Sequence, residues 1–261
     1  MNISVAIATY SGDEVNVILE CLKSVYDWVT DIVIVYGSPE DETTKKIKSF
    51  DREKKIKIIF TDNPPIFHIN KQKAIDACTS DWILQLDTDE IVSHELKKEI
   101  LETIESNPTE NGFWIFRLNH FLGRPLTKGG QYPDPTIRLY RRGKGHLPCE
   151  TVHEQAEIAG TVGQLKHNLL HYPWPTIEDY FNKALVRYAL IEAESMKKQG
   201  VKPSLINGIK YFKLLPLWWF LKTYFRHRGY VDGYAGFLFS LFSSLRYWIA
   251  YATLIELHQK S

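Results

Sequence analysis

Three carboxylate side chains follow directly after a short apolar segment in the first half of the chain. Trp82 to Leu86 has the length and composition of a buried β-strand, and Asp87, Asp89 and Glu90 come next. In open α/β sheets, ligands bind just beyond the C-terminal ends of the strands. Asp87 and Asp89 therefore predict a site for Mg²⁺ or Mn²⁺ shared with a phosphate ligand. The alternative is a polar turn whose aspartate caps the next helix.

Residues 1–110 alternate between strand-like and helix-like segments. Strands are predicted at residues 3–9, 32–35, 56–60 and 82–86, and helices at residues 15–25, 43–50, 69–78 and 94–104. This alternation is typical of an α/β fold with a mostly parallel sheet and helices on both faces. Glu90 is expected near the start of the last helix, where its charge is favourable, rather than at a metal.

After Pro108 the pattern changes. Strands are predicted at residues 113–118 and 136–140, separated by a loop rich in glycine and proline, and such loops often carry function. A long helix is predicted at residues 177–196, and the chain from residue 201 onward is predicted to be helical and rich in aromatic side chains.

The charge is distributed unevenly along the chain. The whole chain carries +1 at pH 7, which gives no argument for binding nucleic acid. Residues 201–261 carry +6 and hold 15 of the 34 aromatic side chains, which predicts contact with an anionic membrane surface. The alternative is that these aromatic side chains pack into the core or a dimer contact. Residues 233–255 are long enough to span a membrane, but Arg246 near their middle favours interfacial or core helices instead.

Three cysteines lie far apart and show no metal-binding spacing, which predicts reduced thiols in a cytoplasmic protein. The N-terminal residues lead straight into a strand-like segment, so no signal peptide is predicted. The expected location is the cytoplasm, with peripheral attachment to the inner face of the cytoplasmic membrane through the basic segment.

Several short motifs occur in order along nearly the whole chain. They lie at residues 3–9, 32–35, 70–74, 81–90, 121–124, 129–134, 138–143, 152–154 and 169–172. Together they resemble family 2 glycosyltransferases with the GT-A fold, and within these the lipopolysaccharide-core β-glucosyltransferase (WaaE-like) group. The resemblance implies an inverting enzyme that moves a hexose from a nucleotide-diphosphate sugar, with a UDP-sugar favoured, to a glycan or glycolipid hydroxyl. Cell-envelope polysaccharide or lipopolysaccharide synthesis is the implied process.

The resemblance also implies roles for segments and residues. Residues 1–110 would be the nucleotide-sugar-binding half and residues 111–200 the acceptor-binding half of one GT-A domain, and residues 201–261 a helical, membrane-associating extension. The implied donor-binding residues are Thr9, Glu14, Tyr36, Asp41, Lys71 and Asp87, and the implied ligands of Mg²⁺ or Mn²⁺ are Asp87 and Asp89. Lys71 is otherwise an exposed helix lysine. The family has aspartate at position 36 against the nucleobase, so Tyr36 either stacks on the base or simply packs.

Inverting transfer needs a general base that accepts the proton of the acceptor hydroxyl. Glu154, in the family's His-Glu motif, is the first candidate, and Asp134 is the second. The alternative for Glu154 is a salt bridge to Arg138 or Arg141. His153 is expected to orient the base or contact a phosphate, or else to be a structural histidine. Arg138 and Arg141 are expected to contact an acidic acceptor or the donor pyrophosphate; otherwise they form a solvated basic strand edge.

Two other functions fit parts of the pattern. A nucleotidyltransferase would also use an α/β sheet and acidic metal ligands, but residues 9–14 are acidic and hold one glycine, whereas those enzymes open with a basic, glycine-rich loop. A non-catalytic sugar- or lipid-binding protein on the same fold is left open by Tyr36 and disfavoured by the carboxylates at positions 87, 89 and 154.

Overall fold

A computed structural model describes residues 2–151 and 154–260 of the chain. The chain divides into two compact units. Unit 1 consists of residues 1–117 and 135–171, and unit 2 consists of residues 118–134 and 172–261.

A β-sheet forms the centre of unit 1. The strands of the described residues are β1 (Ile3–Thr9), β2 (Asp31–Tyr36), β3 (Ile56–Phe60), β4 (Trp82–Leu86), β5 (Glu90–Val92), β6 (Gly112–Phe121), β7 (Arg124–Pro125), β8 (Asp134–Arg141), β9 (Gly145–His146), β10 (Glu157–Ile158), β11 (Val162–Gln164) and β12 (Leu169–Trp174). The strand order is β3-β2-β1-β4-β8-β6-β12-β5. Strands β1 to β4 pair in parallel, and β8 pairs antiparallel with β4. The predicted α/β class with a mostly parallel first half is confirmed.

Helices cover the parallel strands and bury them. The helices of unit 1 are α1 (Val15–Val25), α2 (Glu42–Phe50), α3 (His68–Asp76) and α4 (His94–Glu105). α1 buries Ile18 and Leu22, one helical turn apart, as an amphipathic helix does on a sheet. Val5 and Ala6 alternate along β1 and belong to two different apolar clusters. Both faces of β1 are therefore covered, which explains why it is apolar at nearly every position.

The segment after Asp89 differs from the prediction. Ser93 accepts an N–H bond from Leu96 and begins α4 as expected. Glu90, however, does not lie at a helix start: it is the fully buried first residue of β5, which pairs with β12 and sets Glu90 opposite His171. This pairing joins segments about 80 residues apart along the chain, so local helix signals could not reveal it.

Unit 2 is mostly helical. Its helices are α5 (Ile177–Asp179), α6 (Arg187–Lys198), α7 (Leu205–Ile209), α8 (Leu215–Leu221), α9 (Gly233–Ser244) and α10 (Arg246–Gln259), with π-helical segments Tyr180–Val186, Lys210–Leu214 and Lys222–Arg226 and a 3₁₀ segment Gly229–Asp232. One apolar cluster contains Tyr180 and Phe239, and another contains Tyr211 and Tyr251. The predicted aromatic-rich helical C-terminal part is therefore confirmed.

The unit bounds do not coincide with the predicted division at residues 110 and 200. Residues 118–134 belong to unit 2, where the Thr127 hydroxyl donates to Asp232 Oδ1 at 2.5 Å and the Gly129 N–H donates to the His227 carbonyl at 2.9 Å. Residues 135–171 belong to unit 1 because they supply strands to its sheet. The functional roles assigned to the predicted segments stay predictions.

Residues 229–259 are the one helical stretch of the described chain that is long and apolar enough to cross a membrane, by length and composition alone. A mostly buried core helix passes the same test, and 44% of the most apolar window is buried. The stretch is divided at Leu245 between α9 and α10. Arg246 packs over the rings of Trp219 and Tyr247, with its guanidinium carbon 4.1 and 4.8 Å from their centroids.

Candidate active site

The C-terminal ends of β1, β2 and β4 meet at one edge of the sheet in unit 1. Thr9 lies opposite Tyr36, and Ile7 lies opposite Leu86, so Asp87 follows directly at this edge. A cavity of about 240 Å³ lies here, and its lining includes Lys71, Asp87, Arg117, Arg138 and Glu154. The sheet therefore places Asp87, the first carboxylate of the predicted acidic motif, at this cavity, in agreement with the general rule for open α/β sheets.

The Asp87 carboxylate is held between two cations. Lys71 Nζ forms an ion pair with Asp87 Oδ1, and Arg138 Nη2 donates to Asp87 Oδ2 at 2.6 Å. Lys71 is buried, so the alternative of an exposed helix lysine is wrong. Arg138 lies on β8, where the pairing of Leu139 with Leu84 brings it towards the end of β4.

Glu90 is the second buried carboxylate of the charged network around Asp87 and Arg138. Arg138 Nη2 also donates to Glu90 Oε1 at 2.6 Å, and the Asp87 N–H donates to Glu90 Oε2 at 2.8 Å. Arg117 Nη1 lies 3.7 Å from Glu90 Oε1. Glu90 thus fixes both the backbone that carries Asp87 and the arginine that pairs with it.

The pKa values follow from burial and these pairs. Burial alone would raise the pKa of Asp87, but Arg138 and Lys71 hold it well below its usual range. Burial raises the pKa of Glu90, and Arg138 opposes that rise only in part. For Arg138, burial is outweighed by Asp87 and Glu90, so its pKa is raised and the guanidinium stays charged. The Arg138 Nε donor is buried and has no hydrogen-bond partner in the described structure.

Asp89 faces a different partner from Asp87. Its Oδ2 lies 3.4 Å from His171 Nε2, and His171 comes from β12. Burial acts to raise the pKa of Asp89, but the bond from His171 outweighs it and the pKa is lowered. The sequence placed His171 in a motif without giving it a role, because only the pairing of β12 with β5 brings it to Asp89.

The fit of a divalent cation can be tested on these side chains. Among the residues that the structure describes, no group of three or more His, Cys, Asp or Glu side chains converges as a metal cage. Asp89 and His171 offer an oxygen and a nitrogen donor, and Mg²⁺ or Mn²⁺ often completes its shell with water and substrate phosphates. This pair fits such an ion. The oxygens of Asp87 are already engaged by Lys71 and Arg138, so Asp87 fits only if one of these cations gives way.

Glu154 lines the same cavity, but its carboxylate is already hydrogen-bonded to the backbone of the loop that precedes it. It accepts the N–H groups of Cys149 and Glu150, each at 2.7 Å, and that of Thr151. Burial acts to raise the pKa of Glu154, but these backbone bonds lower it overall. The alternative role of Glu154, a salt bridge to Arg138 or Arg141, is not observed among the described residues. His153, predicted to assist it, lies outside the described residues.

Two of the predicted donor-binding residues, Tyr36 and Asp41, bond to each other. The Tyr36 ring is fully buried, and its hydroxyl donates to Asp41 Oδ2 at 2.6 Å, so Tyr36 packs and is not exposed for stacking. Burial followed by this bond raises the pKa of Tyr36 to about 12. Asp41 also caps α2 by accepting N–H bonds from Thr43 and Thr44. The Thr9 hydroxyl donates to Asp13 at 2.6 Å, and Glu14 is exposed at the start of α1.

Within unit 1, Arg141 lies apart from this cluster. Arg141 pairs in register with Trp82 at the far end of β4, about 15 Å along the strand from Asp87. It stacks over the Trp82 ring and donates to the Pro108 carbonyl at 2.7 Å, and it does not line the cavity with Arg138. Its expected contact with an acceptor or phosphate stays a prediction. Asp134 belongs to unit 2 and accepts from Asn119 Nδ2 at 3.0 Å. Arg117 and His68 also line the cavity. Neither was predicted from the sequence, because no local sequence pattern marks them.

The chain is similar to several known proteins. An uncharacterized glycosyltransferase of Rickettsia typhi, RT0209, is 26% identical over 94% of this chain and 84% of its own length. LpsC of Rhizobium meliloti, a lipopolysaccharide core biosynthesis glycosyltransferase, is 25% identical over 92% of this chain and 87% of its own length. A crystal structure of S. aureus TarS 1-349 matches 100% of this chain and 92% of that chain with a TM-score of 0.49 and 15% identity.

The family assignment rests on a longer match than any one motif. Residues 4–156, more than half of the chain, match the family profile Glycosyl transferase family 2. This range contains Lys71, the carboxylates at the end of β4 and Arg138. The protein therefore belongs to glycosyl transferase family 2.

Proposed function

We propose that this protein transfers a hexose, with inversion, from a nucleotide-diphosphate sugar to a hydroxyl group of a glycan or glycolipid. The observation that carries the proposal is the cavity at the end of β4, where Asp87 lies among Lys71 and Arg138 in a family 2 chain. The leaving group of such a donor is a nucleoside diphosphate, on which negative charge grows during transfer. Preorganised cations stabilise that charge, and the unpartnered Arg138 Nε offers a further donor for a phosphate oxygen.

A UDP-sugar is the proposed donor, and cell-envelope polysaccharide or lipopolysaccharide synthesis is the proposed process. The second proposal is supported by the similarity to LpsC over 92% of the chain. Asp89 and His171 are the residues proposed to hold Mg²⁺ or Mn²⁺. The ion would neutralise the departing pyrophosphate, and an imidazole ligand favours Mn²⁺, because Mg²⁺ prefers oxygen ligands.

The donor site gives the first prediction. Replacing Lys71 with methionine should weaken binding of the correct nucleotide sugar by about tenfold or more, because it removes a buried cation from the cavity. Lys73→Met is the matched control, since Lys73 lies on the same helix and bonds instead to the Thr61 hydroxyl at 2.9 Å. The measurement is a thermal-shift screen of UDP-, GDP-, dTDP- and CMP-sugars with and without Mn²⁺, because a ligand of the folded state raises the melting temperature.

Two outcomes would contradict this prediction. If no nucleotide sugar raises the melting temperature of the wild-type protein, the proposed function is wrong. If Lys71→Met binds the donor as well as Lys73→Met does, Lys71 is not a donor contact. Donor that binds but is neither transferred nor hydrolysed in the presence of Mn²⁺ would favour the non-catalytic binding protein.

The base is proposed to be Glu154, because it lines the cavity together with Asp87. One observation weighs against Glu154 and therefore keeps Asp134 as the alternative base. Three backbone N–H groups already bond to Glu154 and lower its pKa, and a weaker base transfers a proton less efficiently at neutral pH.

Conservative variants separate these two carboxylates. Glu154→Gln should reduce kcat by about 10²-fold or more while the donor-induced thermal shift persists. Glu150→Gln, an exposed change in the same loop, is the control and should keep full activity. A Glu154→Gln protein that melts at lower temperature but turns over normally would make Glu154 a loop-closing residue only. An inactive Asp134→Asn protein would then move the assignment to Asp134.

A further inference from the structure

One long helical stretch of unit 2 has an unusual outer surface. Residues 205–226 are helical throughout, formed by α7, α8 and two π-helical segments. Near its end, five large apolar side chains are exposed at helical spacing: Leu214, Leu217, Trp218, Leu221 and Phe225. A surface helix of a globular protein normally presents polar side chains to the solvent. We call these five exposed side chains the outer stripe; an exposed apolar surface of this kind indicates an interaction site.

The opposite face of the same helical stretch packs against other residues of unit 2. Tyr211 is buried and stacks on Tyr251 with ring centroids 5.2 Å apart. Trp219 Nε1 donates to Ser243 Oγ at 3.0 Å, and Thr223 is buried. The helical stretch is therefore anchored within unit 2 by one face, and the outer stripe is a second, separate apolar face.

The charged residues on this stretch all have one sign. Lys210, Lys213, Lys222 and Arg226 lie between residues 205 and 226, which contain no aspartate or glutamate. Lys222 Nζ lies over the Trp218 ring, 4.8 Å from its centroid, so cation and apolar side chain are presented together. Apolar and aromatic side chains interleaved only with cations are typical of segments that lie in the headgroup region of anionic bilayers.

We infer that the outer stripe is the surface by which this protein docks on an anionic lipid bilayer. A second copy of the chain fits this surface poorly, because a two-fold contact sets each patch against itself and would oppose like charges. Lysine is also depleted in the cores of protein interfaces. The inference rests on the proposed function in that a glycolipid acceptor lies in such a membrane.

Vesicle binding tests this inference without donor or acceptor, so its failure would leave the proposed transfer reaction untouched. Full-length protein should sediment with vesicles containing anionic phosphatidylglycerol and not with purely zwitterionic vesicles. Neutralising Lys213, Lys222 and Arg226 as glutamines should weaken binding by about 10²-fold, since each cation near the surface contributes about fivefold. Raising the salt concentration should weaken wild-type binding in the same direction.

The apolar contribution needs a matched pair of variants. Leu217→Gln, Trp218→Gln and Leu221→Gln combined should lower vesicle affinity at least about tenfold. The control combines Tyr188→Gln, Leu190→Gln and Ile191→Gln, three comparably exposed side chains on α6, and should bind as the wild type does. Bromine-labelled acyl chains should quench the wild-type tryptophan fluorescence, and Trp218→Phe should remove most of that quenching.

Three results would overturn the inference. The first is wild-type protein that ignores anionic vesicles at low salt. The second is equal loss of binding in both glutamine triples, since the outer stripe would then have no special part. The third is a wild-type dimer in sedimentation velocity that the 217/218/221 triple turns into monomers, which would assign the stripe to a subunit contact. Circular dichroism of each variant excludes simple unfolding as the cause.

Discussion

Replacing Arg138 with methionine should destabilise the protein by about 3–5 kcal/mol, the largest effect on stability that we expect from a single change. Methionine keeps much of the volume of the side chain but leaves the Glu90 carboxylate fully buried without the bond at 2.6 Å. Asp87 would retain Lys71 as a partner, so Glu90 is the main source of the loss. Urea denaturation followed by far-ultraviolet circular dichroism measures the change in the free energy of unfolding.

A second change distinguishes the loss of a charge partner from the loss of packing. Glu90→Gln added to Arg138→Met removes the buried carboxylate, which would otherwise be left with the more distant Arg117, 3.7 Å away, as its cationic partner. The double variant should therefore be more stable than Arg138→Met alone. The double-mutant cycle then gives a coupling of about 1–3 kcal/mol between the two positions. Arg124→Met, in the exposed strand β7, is the control and should change stability by less than about 0.5 kcal/mol. Additive effects of the two changes would show that Arg138 and Glu90 are not an interacting pair.

The largest expected effect on activity comes from Asp89. Asp89→Ala should lower kcat/KM by about 10²–10³-fold, because it removes the carboxylate proposed to hold the divalent ion beside the leaving pyrophosphate. Stability should change little, since Asp89 is partly exposed and lies outside the Asp87–Arg138–Glu90 network. Asp81→Ala is the matched control, because Asp81 lies just before β4, at the opposite end of that strand.

Metal binding can be measured apart from turnover. Isothermal titration of Mn²⁺ in the presence of UDP should give a binding signal that Asp89→Ala removes, and His171→Ala should weaken affinity about 10–100-fold. EDTA should abolish transfer by the wild-type enzyme. Full activity in EDTA, or an active Asp89→Ala protein, would show that the cationic side chains neutralise the leaving group without a metal.

Local sequence patterns predicted the first half of the fold well. The alternation of apolar strands with amphipathic helices predicted where β1 to β4 lie along the chain. Their parallel arrangement in the sheet followed from the helical connections between them. The same patterns placed Asp87 and Asp89 at a strand end, and this local geometry needs no distant contact. Ser93 was recognised as a helix cap for the same reason, because its bond to the Leu96 N–H spans three residues.

The environment of those residues depended on pairings between distant segments. Strand β8 lies beside β4, and the register of this pair brings Arg138 to Asp87. Arg141 lies on the same strand but pairs with Trp82, at the other end of β4. The pairing of β5 with β12 turns Glu90 from an expected helix-start residue into a buried strand residue and brings His171 to Asp89.

The sequence by itself determined which side chains could do chemistry and where along the strands they occur, because strand and helix periodicities are local properties. Only the tertiary structure decided which of them share a site. Strand register is set by the packing of whole faces, and in the observed register Arg141, three residues beyond Arg138 on β8, pairs with Trp82 and not near Asp87. Charged partners such as Lys71, Arg138 and Glu90 are likewise fixed by burial, since an unpaired charge in that interior would be too costly to keep.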